Sequence, residues 1–435
     1  MAHAVGIDHL PTEIVLKLFA LLSDLDDLYS LLHASPTFYR LFGDYAVEVL
    51  DQVLDKSQQI HESSRQMLRT IAHIRTGDFP ATSLSELQDQ VTTKVLMTKK
   101  DRDEQGGFFP QRLPIASSPS LVRSLLATAR QITIQTTDCL AVHLDRFRRL
   151  KPFVSTDPNQ NRGSRSVQPV FAMTTGRPHP GRALCAVRDI GSPTWGEEQR
   201  VYRAFWRVQL LNDLRIAVNT GLITGWSDEE KFKLNELSPI DIYDFEDVAA
   251  SLCALNAARG GQSYFGYVEL VEGGAFLTVT DYLKTSPPAL DPNHWKHWSR
   301  PWAAAAPKPM GLDPWGVERQ MLDRQLCNTI EDYRVAYEAD ASYQILSFTP
   351  YRRLGFSIWC YERLQSYGFT DKNANPDLVA WVSVLGSEDR AVLEKGMRRS
   401  EREWPRTTRT TAGGWTFDHV NPVVQWYKAL VDDEQ

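Results

Sequence analysis

Leu10-Pro11-Thr12-Glu13-Ile14 opens the stretch that decides the fold, Asp26-Asp27-Leu28 interrupts it, and Ala34-Ser35-Pro36-Thr37-Phe38-Tyr39 restarts it. Pro11 suits the first position of a helix, where a missing N–H has no intrahelical partner to lose. Glu13 falls in the first turn, where the positive end of the helix dipole favours a carboxylate. Ile14, Leu18, Leu21 and Leu22 recur at spacings of three and four, so they share one face of that helix. Asp24 and Asp26 offer caps for a second short helix carrying Leu28, Leu31 and Leu32. Ser35-Pro36 supplies a cap and an N1 proline for a third, which carries Phe38, Tyr39, Leu41, Phe42, Tyr45, Val49 and Leu50.

Beyond this stretch the pattern stays helical. Residues 56–75 and 83–97 have helical spacing. Lys99 to Pro119 is charged and rich in Gly, Pro and Ser, which marks a loop. Residues 120–150 read as one long helix or two, closed by Arg146, Arg148, Arg149 and Lys151, cations suited to a helix C-terminus. Residues 152–182 hold Pro152, Pro158, Pro169, Pro178 and Pro180 with little apolar pattern, and read as a linker. Helical segments follow at 195–222, 240–259, 315–348, 350–367, 376–385, 387–403 and 420–432. The run 264–280 fits either a β-hairpin across Gly273-Gly274 or two helices broken at those glycines. The expectation is a mainly α protein, divided at 1–55, 56–150, 151–183 and 184–435, with at most a small β element. All twelve tryptophans lie after residue 194, which suggests that the C-terminal half owns the largest core.

The first segment resembles an F-box, most closely the divergent F-box-like modules of large fungal families. Its Leu-Pro-x-Glu opening, apolar helix, Asp-Leu step and third helix with an aromatic come in the family's order. The resemblance implies a three-helix trap that docks on the Skp adaptor of a cullin-type (SCF) ubiquitin ligase. By position, Leu10, Pro11 and Ile14 would seat the first contact. Leu28, Leu31 and Leu32 would form a second apolar ridge, and Phe38 would stand at the family's aromatic position. Where many members carry Val-Cys this chain has Ala34-Ser35, and Phe38-Tyr39 replaces a common Trp. These departures bear on adaptor affinity more than on fold. A module of about forty residues buries too little apolar surface to stand alone, so a partner surface fits its size.

The remaining chain offers little chemistry. The 435 residues carry a net charge of −6, with 42% hydrophobic and 23% charged residues, ordinary values that point neither to nucleic acid nor to an anionic membrane. Cys139, Cys185, Cys253, Cys327 and Cys360 form no CxxC pair, so they read as reduced buried thiols rather than disulfide or zinc ligands. There is no phosphate-cradling Gly-x-x-x-x-Gly-Lys-Ser/Thr loop, and Gly261-Gln-Ser263-Tyr-Phe-Gly266 is one residue too long for a nucleophile elbow. His294 and His297 lack both the i, i+4 spacing and the Glu of a helical zinc pair. No metal and no cofactor is expected. Trp295, Trp298, Trp302 and Trp315 lie in a proline-punctuated stretch; core burial is one reading and a target-binding surface the other. No signal peptide, membrane span or Asn-x-Ser/Thr acceptor is visible, which places the expectation in the cytoplasm or nucleus.

The function expected is a substrate-recognition adaptor acting by proximity, holding the Skp adaptor and through it a cullin with one end and a protein target with the other. An F-box-like regulator working outside a ligase is the first alternative. An enzyme with an unrecognised site in the C-terminal body is the second.

Overall fold

A computed structural model describes residues 10–81, 83, 84, 86, 110–155, 182–236, 354–356, 358–370, 380 and 383–386. The described chain is mainly α, with one small two-stranded antiparallel sheet. It divides into two compact units, Met1–Val142 with Pro193–Met310, and His143–Ser192 with Gly311–Gln435. Each unit is discontinuous in sequence, whereas the four segments expected above are consecutive.

In the first unit the punctuation of the sequence becomes caps. Helix α1 (Thr12–Leu21) starts after Pro11, whose carbonyl accepts from the N–H groups of Ile14 and Val15. Helix α2 (Leu25–Ala34) starts at Asp24, whose carboxylate accepts from the Asp26 N–H at 2.8 Å. Helix α3 (Pro36–Lys56) starts at Ser35, whose hydroxyl accepts from the Phe38 N–H, with Pro36 in the first turn. The Asp24 and Ser35 side chains each satisfy a donor that the helix itself leaves without a partner. Within α3, Tyr45 departs from helical geometry (φ −127°, ψ 24°) and bends the helix. Helix α4 (Glu62–Thr76) ends on Gly77, in the left-handed region at φ 78°. A Cβ there would come within 2.8 Å of the Leu222 carbonyl oxygen, so glycine answers both the turn and the close approach.

Helix α5 (Pro119–Arg148) is a single long helix. Helix α6 (Trp195–Asn219) opens with a capping box. The Thr194 hydroxyl accepts from the Glu197 N–H, and the Glu197 carboxylate accepts from the Thr194 N–H at 2.7 Å. Ser227 and Glu230 repeat that exchange at the start of α7 (Asp228–Glu236).

Among the described residues the most extensive helix pairing joins α4 to α6. Met67, Leu68, Ile71 and Ala72 are buried on α4, and Tyr202, Phe205, Trp206 and Leu210 on α6. Of the described indoles, Trp195, Trp206 and Trp226 belong to this first unit and Trp359 is buried in the second, while the other tryptophans lie outside the described residues. Trp195 Nε1 donates to the Gln59 carbonyl at 3.0 Å, and Trp226 Nε1 to the Ala81 carbonyl at 3.1 Å. Gln199 joins the same seam, accepting from the His61 N–H and donating to the Gln59 carbonyl. The tryptophan count showed where the indoles are in sequence, but their partners are set by tertiary packing.

Charged groups fix the register of these helices. Asp51 on α3 is buried, accepting from Arg69 Nε at 2.9 Å and from the Leu113 N–H at 3.0 Å. Arg69 also reaches Asp55 at 2.6 Å, and Arg112 meets the other Asp55 oxygen at 2.7 Å. Arg75 on α4 grips both carboxylate oxygens of Asp213 on α6, at 3.1 and 3.0 Å, and donates to Ser124 and Thr128 of α5.

In the second unit, strands β1 (Phe153–Ser155) and β2 (Arg182–Leu184) pair antiparallel, Phe153 opposite Leu184. They occupy the two ends of the stretch read as a linker; 156–181 lies outside the described residues, as does the run 264–280 where a hairpin was considered. Three-residue strands carry too little alternation to be seen in sequence. Phe147, at the end of α5, is fully buried among Phe356, Trp359, Tyr367 and Phe369, with ring centroids 4.3 to 5.8 Å away. The short helix α8 (Tyr361–Ser366) carries Arg363, which is 0% exposed. Its guanidinium donates to the carbonyls of Gly191 and Ser192 and lies over the Trp359 ring. Burial, with Asp189 nearby, pushes the Tyr367 hydroxyl's pKa up. Gly368, at φ 75°, sits where a Cβ would fall 2.7 Å from Cys185 Sγ.

Removing one partner of a buried ion pair strands the other. Arg69→Met is expected to cost about 3–5 kcal/mol in denaturant unfolding. Arg112→Ala, at the exposed end of the same chain of charges, should cost less than about 1 kcal/mol. Equal losses would mean that Asp51 is not the buried anchor.

Candidate functional site

Helix α1 is apolar on more than one side: between Ile14 and Leu22 only Lys17 is charged. Two stripes compete for the interior. Val15 and Phe19, four apart, take it, at 0% and 1% exposure. The Phe19 ring packs edge-on against Phe38 at 5.9 Å and Phe42 at 6.2 Å, and Leu25, Leu28 and Leu32 of α2 complete the same core. The stripe singled out by sequence spacing points elsewhere. Ile14 is 41% exposed and Leu21 78%, with Leu18 and Leu22 half-buried. The aromatic stripe goes inside because an aromatic ring contributes the largest buried area per side chain.

The residues expected to meet the adaptor therefore separate into two groups. Leu28, Leu32 and Phe38 are interior and hold the module together rather than presenting a ridge. Pro11 and Ile14 are exposed, and Leu10 and Leu31 are half-buried. Leu21, not singled out as a contact, has the largest apolar exposure on α1. Its position in the Ile14-Leu18-Leu21 spacing was the available signal. Trp295, Trp298, Trp302 and Trp315 lie outside the described residues, as do His294 and His297.

Two neighbours define what remains open. Along α2 and α3, α5 is already in place: Arg130 pairs with Asp26 at 3.2 Å and lies over the Tyr29 ring, and Arg123 lies over the Tyr39 ring at 4.5 Å. Tyr29 in turn stacks on His33. At the far end of α1, the Lys56 ammonium donates to the Ala20 carbonyl. The outward face of α1, from Pro11 through Ile14 to Leu21, keeps its apolar exposure with no such cover described. Its chemistry is aliphatic, flanked by Glu13 and Lys17 on the ten-residue helix.

Among the described residues, no group of three or more His, Cys, Asp or Glu side chains is placed to hold a metal ion. Among the described residues, Cys139, Cys185 and Cys360 form no disulfide. The cations at the end of α5 are engaged, Arg148 with Asp189 at 2.8 Å and Arg149 with Asp145. No helix among the described residues is long and apolar enough to cross a membrane. Comparison with family models, with curated proteins and with solved structures finds no match to the chain.

Truncating the two stripes of α1 separates their roles. Phe19→Ala should cost about 3–5 kcal/mol of stability by opening a cavity against Phe38 and Phe42. Leu21→Ala should stay within about 0.5 kcal/mol. Thermal or denaturant unfolding checks both, and a large loss for Leu21→Ala would mean that its face is covered.

Proposed function

We propose that this chain is the substrate-recognition subunit of a cullin-type ubiquitin ligase, docking on a Skp-type adaptor through the outward face of α1. One observation carries the reading: α1 keeps a second apolar stripe, Pro11, Ile14 and Leu21, in water after its first stripe has filled the core. A surface helix ordinarily has one apolar stripe. A second one that stays exposed marks a contact with another molecule. The F-box-like order of Leu-Pro-x-Glu, Asp-Leu and Ser-Pro-x-Phe names the kind of molecule. Those motifs lie at three consecutive helices, the second and third of them opened by side-chain caps.

In this reading the contact residues are Leu10, Pro11, Ile14, Leu21 and Leu31, while Leu28, Leu32 and Phe38 fix the shape of the surface from inside. The adaptor brings a cullin, and the protein acts by proximity without chemistry of its own, in the cytoplasm or nucleus where such ligases work. A protein target is assigned to the chain after residue 184, with Trp295, Trp298, Trp302 and Trp315 as its proposed contacts.

The test is co-purification of the tagged full-length chain with the Skp adaptor and cullin, beside Ile14→Asp/Leu21→Asp. A carboxylate placed in an apolar contact should cost at least about 1–3 kcal/mol per site, a loss of roughly tenfold or more in affinity. Since both positions are exposed in the free protein, the variant should stay folded and unfold within a few degrees of the wild type. Adaptor and cullin retained by the wild type and lost by the folded variant would support the reading. Adaptor captured without cullin would point to a regulator outside the ligase. A wild type that captures neither would sink the proposal.

A further inference from the structure

Helix α1 ends without help from its own sequence. Its last turn carries no basic residue, and no glycine closes it: Leu22, at the C-cap, is extended (φ −67°, ψ 141°). The only turn-back described there is the Leu22 N–H donating to the Phe19 carbonyl at 3.1 Å. The last carbonyls of a helix have no partners within it and form the negative end of its dipole. A helix of ten residues is also shorter than the roughly 12–15 at which isolated helices become even marginally stable in water. Its hold on the protein comes from Val15 and Phe19, both inward of the exposed stripe.

The missing cation comes from elsewhere. Lys56, in the last turn of α3 and thirty-six positions along the chain, donates its ammonium to the Ala20 carbonyl. Ala20 is the immediate neighbour of Leu21, the most exposed apolar side chain of α1. The first half of α3 carries Phe38 and Phe42 under Phe19, and the bend at Tyr45 separates it from the half that ends in Lys56. One helix thus grips α1 twice, by aromatic packing beneath its middle and by a charge at its end.

We infer that Lys56 is a positioning residue for the outward face of α1. Its ammonium caps the carbonyl end of that helix and orders Leu21 before any partner arrives. A partner meeting the ordered face does not have to order it, so the clamp raises apparent affinity without touching the partner. The identity of the partner rests on the adaptor reading above; the clamp stands on α3 and α1 alone.

Two readouts on the full-length chain keep the two ideas apart. In amide hydrogen exchange, Lys56→Met should speed exchange along α1 about two- to fivefold, the range expected for losing an exposed cation at a helix C-terminus. Exchange in α4 should stay unchanged, and Lys56→Arg, which keeps a cationic donor, should restore the wild-type rates in α1. Binding to purified Skp adaptor should weaken by a similar factor in Lys56→Met and recover in Lys56→Arg. Unchanged exchange in α1, or an equal rise in α4, would overturn the clamp. Faster exchange in α1 with full adaptor affinity would overturn the positioning role. If the wild-type chain does not bind the adaptor, the adaptor reading falls and the exchange arm alone decides the clamp.

Discussion

The fold hangs on a helix that arrives late. The apolar side of α4 is covered by α6, which comes from far along the chain and brings Tyr202, Phe205 and Trp206. Closing so long a loop costs conformational entropy, though the cost grows only slowly with length. Burial of large aromatic surface on both helices offsets it. The ties at the start of α6, from Trp195 and Gln199 to residues 59–61, repeat the pairing in hydrogen bonds.

Apolar burial brings α4 and α6 together, but it does not choose their register. Arg75 does, because its guanidinium fits both oxygens of Asp213 at once while reaching α5. A slide of one turn would strand a nearly buried carboxylate. Asp51 plays the same part between α3, α4 and the non-helical residues before α5 that include Leu113. Such charges add little net stability beyond what apolar residues of the same size would give, but misplacing them is costly, and that asymmetry favours one arrangement.

Much of the helical skeleton was legible in the sequence, because caps are local chemistry. Asp24 and Ser35-Pro36 announce α2 and α3, and 120–150 and 195–222 are close to the observed α5 and α6. Two features were not legible. The direction in which α1 faces depends on which of two overlapping stripes finds aromatic partners, and those partners, Phe38 and Phe42, sit on another helix. The seven-residue candidate set could not separate Leu28, Leu32 and Phe38, which hold the core, from Pro11 and Ile14, which meet water. The pairing of Phe153–Ser155 with Arg182–Leu184 is likewise written in the chain only as two short runs at the ends of a proline-rich segment.

The lateness of α6 also matters during synthesis. Ribosomes add about 5–20 residues per second, so on the order of ten seconds separates the emergence of α4 from that of the helix that covers it. Over that interval α4 lacks the cover that α6 supplies, and the nascent chain presents the kind of apolar surface that chaperones hold. A premature stop between Gly77 and Pro193 would make that condition permanent. Such a fragment would retain α1 and its outward face while lacking the interior that keeps the rest of the unit out of the quality-control machinery.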